Sequence, residues 1–141
     1  MEDRFVVDNS VVMGWCFEDE SSEYADAVLD RLTKSEAIVP GIWPLEVVNV
    51  LLLAERRGRI SRSGAMRFIE LLRSLPIVVE QEPPGRVFSE IRSLAREAEI
   101  TAYDASYLDL ALRDGLPVAS LDKAMRRAAS RLQIPVLGEV G

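Results

Sequence analysis

Short apolar runs alternate along the chain with longer segments in which apolar residues recur at helical spacing. The runs are rich in β-branched residues, as expected of short buried strands. They lie at residues 5–7, 37–39, 77–79 and 117–121. The segments between them place apolar residues three or four positions apart, as between residues 25 and 32, which predicts amphipathic helices. This alternation is typical of an α/β sandwich with a mostly parallel sheet of four strands, or five if residues 134–137 add an edge strand.

The most apolar helix is predicted for residues 42–54. Pro44 suits its first turn, and Gly58 follows two arginines at its end, where cations and a glycine favour termination. The body of this helix is apolar nearly all round, so we expect it to be buried on most sides. Its polar interior residues, Glu46 and Asn49, are three positions apart and therefore share one face.

Composition narrows the chemistry that the chain can perform. It has 141 residues, a net charge of −6 and no histidine. The length favours a single domain over residues 1–141. Without histidine, the usual general base, the serine triad and histidine-based zinc sites are all excluded. The negative charge predicts no overall attraction to nucleic acid, although a local basic patch is compatible with it. Catalysis would have to use carboxylates, hydroxyls, lysine or arginine.

The sequence also indicates the cellular compartment. No apolar run approaches the roughly 20 residues of a membrane span, and the acidic start of the chain does not resemble a signal peptide. The single cysteine, Cys16, cannot form an internal disulfide, which fits a reducing cytosol. We therefore expect a cytoplasmic protein that has no membrane partner.

Four carboxylates stand out because each lies at a strand end or in the first turn of a helix. They are Asp8, Glu46, Asp104 and Asp122. Taken singly, each has a structural explanation. Asp8 can close a turn after its strand, and Asp122 can cap a helix. Asp104 follows Thr101 at capping-box spacing, and Glu46 suits the positive end of a helix macrodipole.

Taken together, the four carboxylates favour a metal site. Parallel sheets form their sites beyond the carboxyl ends of the strands, where Asp8 and Asp122 are expected. If the four converge, their repulsion is roughly 4 kcal/mol per pair at 4 Å for an effective dielectric near 20. A hard divalent cation would relieve this repulsion, and oxygen ligands point to Mg²⁺ or Mn²⁺. Such an ion can activate water and stabilise a phosphoryl oxygen.

Several neighbouring residues are candidates for supporting roles. Ser10, Ser120 and Asn49 could bond the carboxylates, a metal-bound water or a phosphate, or could simply be turn and cap residues. Lys123, next to Asp122, is the cation best placed to meet a phosphate backbone. Asp109 is five residues beyond Asp104, roughly 140° round the helix, so we place it outside the site. Most other basic residues are expected on solvated helix ends and faces.

At this point the sequence resembles the PIN-domain ribonucleases, and specifically the VapC-type toxins of prokaryotic toxin–antitoxin pairs. Four segments in order carry the resemblance, at residues 7–10 (VDNS), 44–49 (PLEVVN), 101–108 (TAYDASYL) and 120–123 (SLDK). The third is the most specific. A small departure is Ser120, where threonine is common in the family, and the hydroxyl is kept.

The resemblance implies a three-layer fold with helices on both faces of the sheet. It carries the family's acidic roles onto Asp8, Glu46, Asp104 and Asp122, which would bind one or two Mg²⁺ or Mn²⁺ ions and activate water for RNA cleavage. It further implies a homodimer and an antitoxin that covers apolar surface near residues 45–75 and inserts an arginine into the acidic pocket.

Two other functions are compatible with parts of the pattern. A receiver-like signalling domain would need an acidic pair after the first strand, but Asp8 is followed by Asn9. It would also need an aspartate at the end of a middle strand, where residues 77–79 are followed by Glu80 and Gln81. A non-catalytic PIN-like module, which uses the acidic pocket to bind a partner's arginine, is opposed only by the presence of all four carboxylates.

Overall fold

A parallel sheet of four strands forms the centre of the computed structural model, which describes residues 4–138. The strands are β1 (Phe5–Val7), β2 (Ala37–Pro40), β3 (Ile77–Glu80) and β4 (Val118–Ala119). They lie in the order β3-β2-β1-β4, and every neighbouring pair is parallel. β1 is therefore an interior strand, which confirms the predicted α/β architecture and the position of the strand that leads to Asp8.

The burial of the central strands shows that both faces of the sheet are covered. All residues of β1 and β2 are buried, although successive side chains of a strand point to opposite faces. Such strands read as continuous apolar runs because helices cover them on both sides. The predicted three-layer arrangement is thus confirmed. The edge strand β3 is more open, with Val78 and Val79 each more than a third exposed.

Helices connect the strands and form the two outer layers. They are α1 (Asn9–Cys16), α2 (Glu23–Arg31), α3 (Trp43–Arg56), α4 (Arg62–Ser74), α5 (Pro84–Arg86), α6 (Arg92–Ala98), α7 (Ala102–Asp114) and α8 (Lys123–Arg131). A 3₁₀ turn at Glu18–Glu20 precedes α2, and a π-helical turn at Val87–Ile91 joins α5 to α6. Within residues 4–138, no helix is long and apolar enough to cross a lipid bilayer.

Local capping explains where several helices begin and end. The side chains of Ser22, Ser61 and Thr101 accept hydrogen bonds from backbone N–H groups at the starts of α2, α4 and α7, which satisfies donors that a helix leaves unpaired. Gly58 and Gly115 follow α3 and α7 with φ of +72° and +67°. Side chains rarely adopt this conformation, so glycine ends these helices cheaply.

Two expectations about the core differ from the structure. α3 is not buried on most sides, because four of its apolar residues are between 38% and 68% exposed: Leu45, Val48, Leu52 and Leu53. Apolar composition all round a helix cannot reveal which side lacks a covering element. The edge strand proposed at residues 134–137 is reduced to one parallel bridge between Val118 and Val136, because β4 itself is only two residues long.

Candidate active site

The order of the strands creates a crevice between β1 and β4. The chain runs from β1 to β2 and β3 on one side, and later places β4 on the other side of β1. In open parallel sheets, such a reversal opens a crevice beyond the carboxyl ends of the two strands. Asp8 follows the last residue of β1, and Asp122 lies three residues after Ala119 of β4. Two of the four sequence-predicted carboxylates therefore flank this crevice.

Two serine hydroxyls position Asp8 at the bottom of the crevice. Asp8 is only 6% exposed. Ser120 Oγ donates to its Oδ2 at 2.6 Å, and Ser10 Oγ donates to the same atom at 2.9 Å. The Asp8 side chain makes no capping hydrogen bond to α1, although Asp8 occupies the N-cap position. The two hydroxyls are thus its principal side-chain partners, and the supporting residues Ser10 and Ser120 do contact the site.

The same hydroxyls tie the ends of β1 and β4 together. Ser10 Oγ accepts from the backbone N–H of Leu121 at 2.9 Å, and Ser120 Oγ accepts from that of Asp122 at 3.0 Å. The carboxylate of Asp122 accepts from the N–H of Ala124 at 2.9 Å and caps α8. The capping role that the sequence allowed for Asp122 is therefore present, and it holds that carboxylate beside the crevice.

Glu46 and Asp104 come from the first turns of α3 and α7. Both are partly buried. The N–H of Asp104 donates to Thr101 Oγ1 at 3.0 Å, so the capping interaction expected from their spacing fixes the start of α7. The hydroxyl of Tyr107, one turn further on, donates to Glu46 Oε1 and joins α7 to α3.

Sequence reasoning missed Tyr107 as a site residue. It is 1% exposed and lies within the TAYDASYL segment. A tyrosine buried this deeply needs a partner for its hydroxyl, which is the signal that could have assigned it. Its partner could not be chosen from sequence, since Glu46 is 61 residues away along the chain.

Burial and the charges of neighbouring carboxylates raise the pKa values of three of the four carboxylates. Burial raises the pKa of Asp8, an effect that the hydroxyls of Ser120 and Ser10 oppose and the charge of Asp122 reinforces. Burial also raises the pKa of Glu46, with further contributions from Asp8 and Asp104. The pKa of Asp104 rises for the same reason, with additions from Asp8 and Asp122. The four side chains therefore form one electrostatic unit, which we call the acidic cluster.

Burial and the neighbouring Glu46 carboxylate also raise the pKa of Tyr107. Its hydroxyl therefore stays protonated and donates to Glu46 at neutral pH. The bond holds one carboxylate oxygen of Glu46 in place.

No cation of the described chain neutralises the acidic cluster. Among residues 4–138, the ion pairs formed by lysine and arginine all involve other carboxylates. Within the same residues, no three acidic or thiol side chains are already arranged as metal ligands. The donor set nevertheless fits a hard divalent cation, because it consists of carboxylate oxygens whose charges are otherwise unopposed.

Other predicted residues lie at the margin of the cluster. Asn49 is exposed and lines a cleft of about 340 Å³ together with Ile42, Leu45, Glu46 and Tyr103. Lys123 is exposed as the first residue of α8.

Arg126 and Asp109 have defined structural partners. Arg126 was expected on a solvated face, but its Nε donates to the carbonyl of Ser120 at 2.6 Å and its guanidinium stacks on Tyr24 at 4.8 Å. It therefore braces the segment that carries Ser120. Asp109 pairs with Arg86 and does not join the cluster, as its angular position predicted.

With this geometry, the fold and the site define the class of protein. The chain belongs to the PIN domain family, whose model matches residues 5–131. The resemblance drawn from four short segments is thereby confirmed over most of the chain.

Individual relatives extend this assignment. Ribonuclease VapC3 of Pyrobaculum aerophilum is 25% identical over 132 residues, covering 94% of this chain and 99% of the relative. Among solved structures, PAE2754 from the same organism superimposes with a TM-score of 0.70 at 23% identity, covering 99% of this chain and 91% of the other. FitAcB from Neisseria gonorrhoeae gives a TM-score of 0.64 at 22% identity, with 94% and 95% covered. The two structures support the fold.

Proposed function

We propose that this protein is a metal-dependent endoribonuclease and the toxin of a type II toxin–antitoxin system. The observation that supports this most directly is the acidic cluster, in which four carboxylates of a PIN domain interact electrostatically and no cation within residues 4–138 neutralises them. The match to a curated VapC ribonuclease over nearly the full length of both chains adds to it. We further propose that the protein acts in the cytoplasm as a homodimer.

In this proposal, Asp8, Glu46, Asp104 and Asp122 would hold Mg²⁺ or Mn²⁺. The bound ion would supply an activated water and stabilise charge on the phosphoryl oxygen. The protein's own residues position the ligands. Ser10 and Ser120 hold Asp8, and Tyr107 holds Glu46. Such partners orient ligating carboxylates and are worth about 10- to 100-fold in metal affinity or activity.

Substrate RNA would meet the cluster from the open side of the crevice. Lys123 is exposed at the start of α8, directly after Asp122, and we assign it to a backbone phosphate. Contacts of this kind position a nucleic acid without reading its sequence. Asn49 is the polar residue one turn after Glu46 and lines the same cleft as Glu46.

The catalytic proposal is tested by RNA cleavage with purified protein in Mg²⁺ or Mn²⁺. Asp8→Asn and Asp104→Asn should abolish cleavage, while the matched variant Asp30→Asn, in which an exposed carboxylate of α2 is changed, should cleave normally. Unchanged cleavage by both cluster variants would refute the catalytic assignment.

Thermal melting tests metal binding separately. Either ion should raise the melting temperature of the wild-type protein, since an ion that binds only the assembled cluster stabilises the folded state. The shift should be absent in Asp8→Asn. No shift at millimolar metal together with no cleavage would favour the non-catalytic interaction module, whose acidic pocket binds a partner's arginine.

An apolar groove between α3 and α4 is our proposed site for the antitoxin. Two adjoining cavities of about 380 and 260 Å³ share Val48 and Ile69 in their linings, and Leu52 and Met66 are 43% and 58% exposed beside them. Monomeric proteins rarely leave such contiguous apolar surface uncovered. An amphipathic helix of the antitoxin would fit this groove.

Binding of the cognate antitoxin tests the groove. Leu52→Glu should weaken the complex and relieve inhibition, because it places a charge on the apolar floor. Leu112→Glu, at a residue 46% exposed on α7 and outside the groove lining, is the matched control. Equal antitoxin affinity in both variants would contradict this location.

A further inference from the structure

The cleft beside the acidic cluster has the chemistry of a nucleobase site. It is lined by Ile42, Leu45, Glu46, Asn49 and Tyr103, and has a volume of about 340 Å³. Glu46 belongs to both the cleft and the cluster, and Tyr103 directly precedes Asp104. The cleft therefore adjoins the place where RNA would be cleaved.

Tyr103 presents an aromatic ring to solvent at this position. It is 60% exposed, and Leu45, which also lines the cleft, is 68% exposed. An exposed ring beside a nucleic-acid site is suited to stacking, since every base has a π-face and base–aromatic stacking tolerates any sequence. Its backbone carbonyl accepts from Ser106 Oγ at 2.6 Å, which fixes the residue within the first turn of α7.

The remaining lining distinguishes a base from a phosphate. Glu46 is the charged residue of the lining, and no cation contributes to it. A phosphate would be repelled there, whereas a neutral base would not. Asn49 offers an amide that can both donate to and accept from a base edge, and Ile42 and Leu45 provide apolar contact for a ring.

We propose that Tyr103 and Asn49 hold the base of a nucleotide next to the scissile phosphate, with Tyr103 stacking on its face and Asn49 bonding its edge. The inference rests on the proposed endoribonuclease function and adds a binding site for single-stranded RNA. Tyr103 contributes to substrate binding in this arrangement, and the acidic cluster performs the chemistry.

The role of the Tyr103 ring is tested by steady-state cleavage kinetics, with a single-stranded RNA that the wild-type protein cuts. Tyr103→Ala should raise KM about tenfold, within the range of measured base–aromatic stacking, and should leave kcat within about twofold. Tyr103→Phe keeps the ring and should retain the wild-type KM. Phe88→Ala removes another exposed aromatic residue, 74% exposed in the π-helical turn, and should change nothing.

An abasic scan of the same RNA identifies the base. Removing the base that stacks on Tyr103 should raise the wild-type KM, and the same removal should have no further effect in Tyr103→Ala, because each change deletes one side of one contact. Asn49→Ala should reduce the preference among the four bases at that position alone.

The outcomes separate this site from the proposed function. Absence of RNA cleavage by the wild-type protein would refute both. If the wild-type protein cleaves normally and Tyr103→Ala has an unchanged KM, the base site is refuted and the nuclease function stands. The same holds if the effect of Tyr103→Ala on KM is additive with that of every abasic position. Equal losses in Tyr103→Phe and Tyr103→Ala would refute stacking. Loss of antitoxin binding without any change in RNA kinetics would assign the cleft to the protein partner.

Discussion

Two of the carboxylates on helix α7, Asp104 and Asp109, differ in whether a cation of the described chain neutralises them. Asp109 is 3% exposed and receives two hydrogen bonds from Arg86, with Nε to Oδ2 at 2.8 Å and Nη2 to Oδ1 at 2.9 Å. Asp104, five residues earlier, has no cation of the described chain and is surrounded by other carboxylates. Burial alone therefore does not distinguish the two residues, whereas the presence of a counterion among the described residues does.

The partners of the two residues show the same contrast. Asp109 raises the pKa of Arg86 by its hydrogen bonds and charge, so the pairing stabilises the ionised guanidinium. In the acidic cluster, burial and neighbouring carboxylates raise the pKa values of Asp8, Glu46 and Asp104 and so oppose their ionisation. The Arg86–Asp109 pair is neutralised within the protein, and the acidic cluster is the place where we propose that a divalent cation binds.

The largest effect should come from neutralising Asp104. Asp104→Asn should lower the cleavage rate by roughly a thousandfold, at the upper end of what removing one electrostatic stabilising group costs. The fold should be retained, since the backbone N–H that Thr101 caps is unchanged. Initial cleavage rates measure the loss of activity, and circular dichroism shows whether the fold is retained. A folded Asp104→Asn protein with normal activity would contradict the distinction between Asp104 and Asp109.

Breaking the Arg86–Asp109 pair should affect stability and leave the chemistry alone. Arg86→Met should lower the free energy of unfolding by about 3 kcal/mol, at the low end for a buried pair, because Arg86 is 26% exposed as a side chain. Asp109→Leu in the same protein should restore much of the loss, since the unpaired charge is then removed. Urea unfolding measures both. A wild-type-like Arg86→Met curve would contradict a structural role for the pair.

A hydroxyl deletion should weaken the cluster to an intermediate extent. Ser120→Ala removes a donor to Asp8 and an acceptor for the N–H of Asp122. The Mn²⁺ concentration that gives half-maximal cleavage should rise about 10- to 100-fold. Ser120→Thr retains the hydroxyl and should keep most of the activity, and Ser93→Ala, at an exposed position of α6, is the control. Identical metal dependence in all three variants would show that Ser120 does not position Asp8.

The smallest effect should come from Asp8→Asn on the folding stability of metal-free protein. Because burial raises the pKa of Asp8, the folded protein keeps a proton that the unfolded chain has lost above its ordinary carboxyl pKa of about 4. The stability of chelator-treated protein should therefore fall as the pH rises from that value through the folded pKa. Asp8→Asn should be about 1 kcal/mol more stable at neutral pH, the usual size of a single substitution. Thermal melts in chelator from pH 5 to 8 measure this difference. A wild-type protein that gains stability over this range would contradict the sign.

The sequence predicted the parts of the molecule that depend on local pattern. The strand before Asp8, the cap formed by Thr101 and the end of α3 at Gly58 follow from residue types and spacing. The four carboxylates were found because strand ends and first helical turns gather at one edge of a parallel sheet.

The sequence did not predict which residues far apart along the chain pair with one another. The Tyr107–Glu46 bond and the Arg86–Asp109 pair join residues 61 and 23 positions apart, and such pairings depend on the register of packed helices. The apolar pattern of α3 did not indicate its exposed face for a related reason, and only the family resemblance implied apolar surface near residues 45–75. A helix that is buried on all sides and a helix with one uncovered apolar face can have the same composition, and only the packing of the fold distinguishes them.

The hydroxyl bond from Ser120 to Asp8 spans 112 residues of chain. During synthesis, β1, β2 and β3 are available long before β4, so the sheet can begin to pair while Asp8 still lacks its partner. Because the segment that follows β4 supplies both Ser120 and Asp122, a nascent chain has an incomplete cluster until that segment emerges. The connectivity thus makes completion of the acidic cluster depend on one of the last segments of the chain to be synthesised.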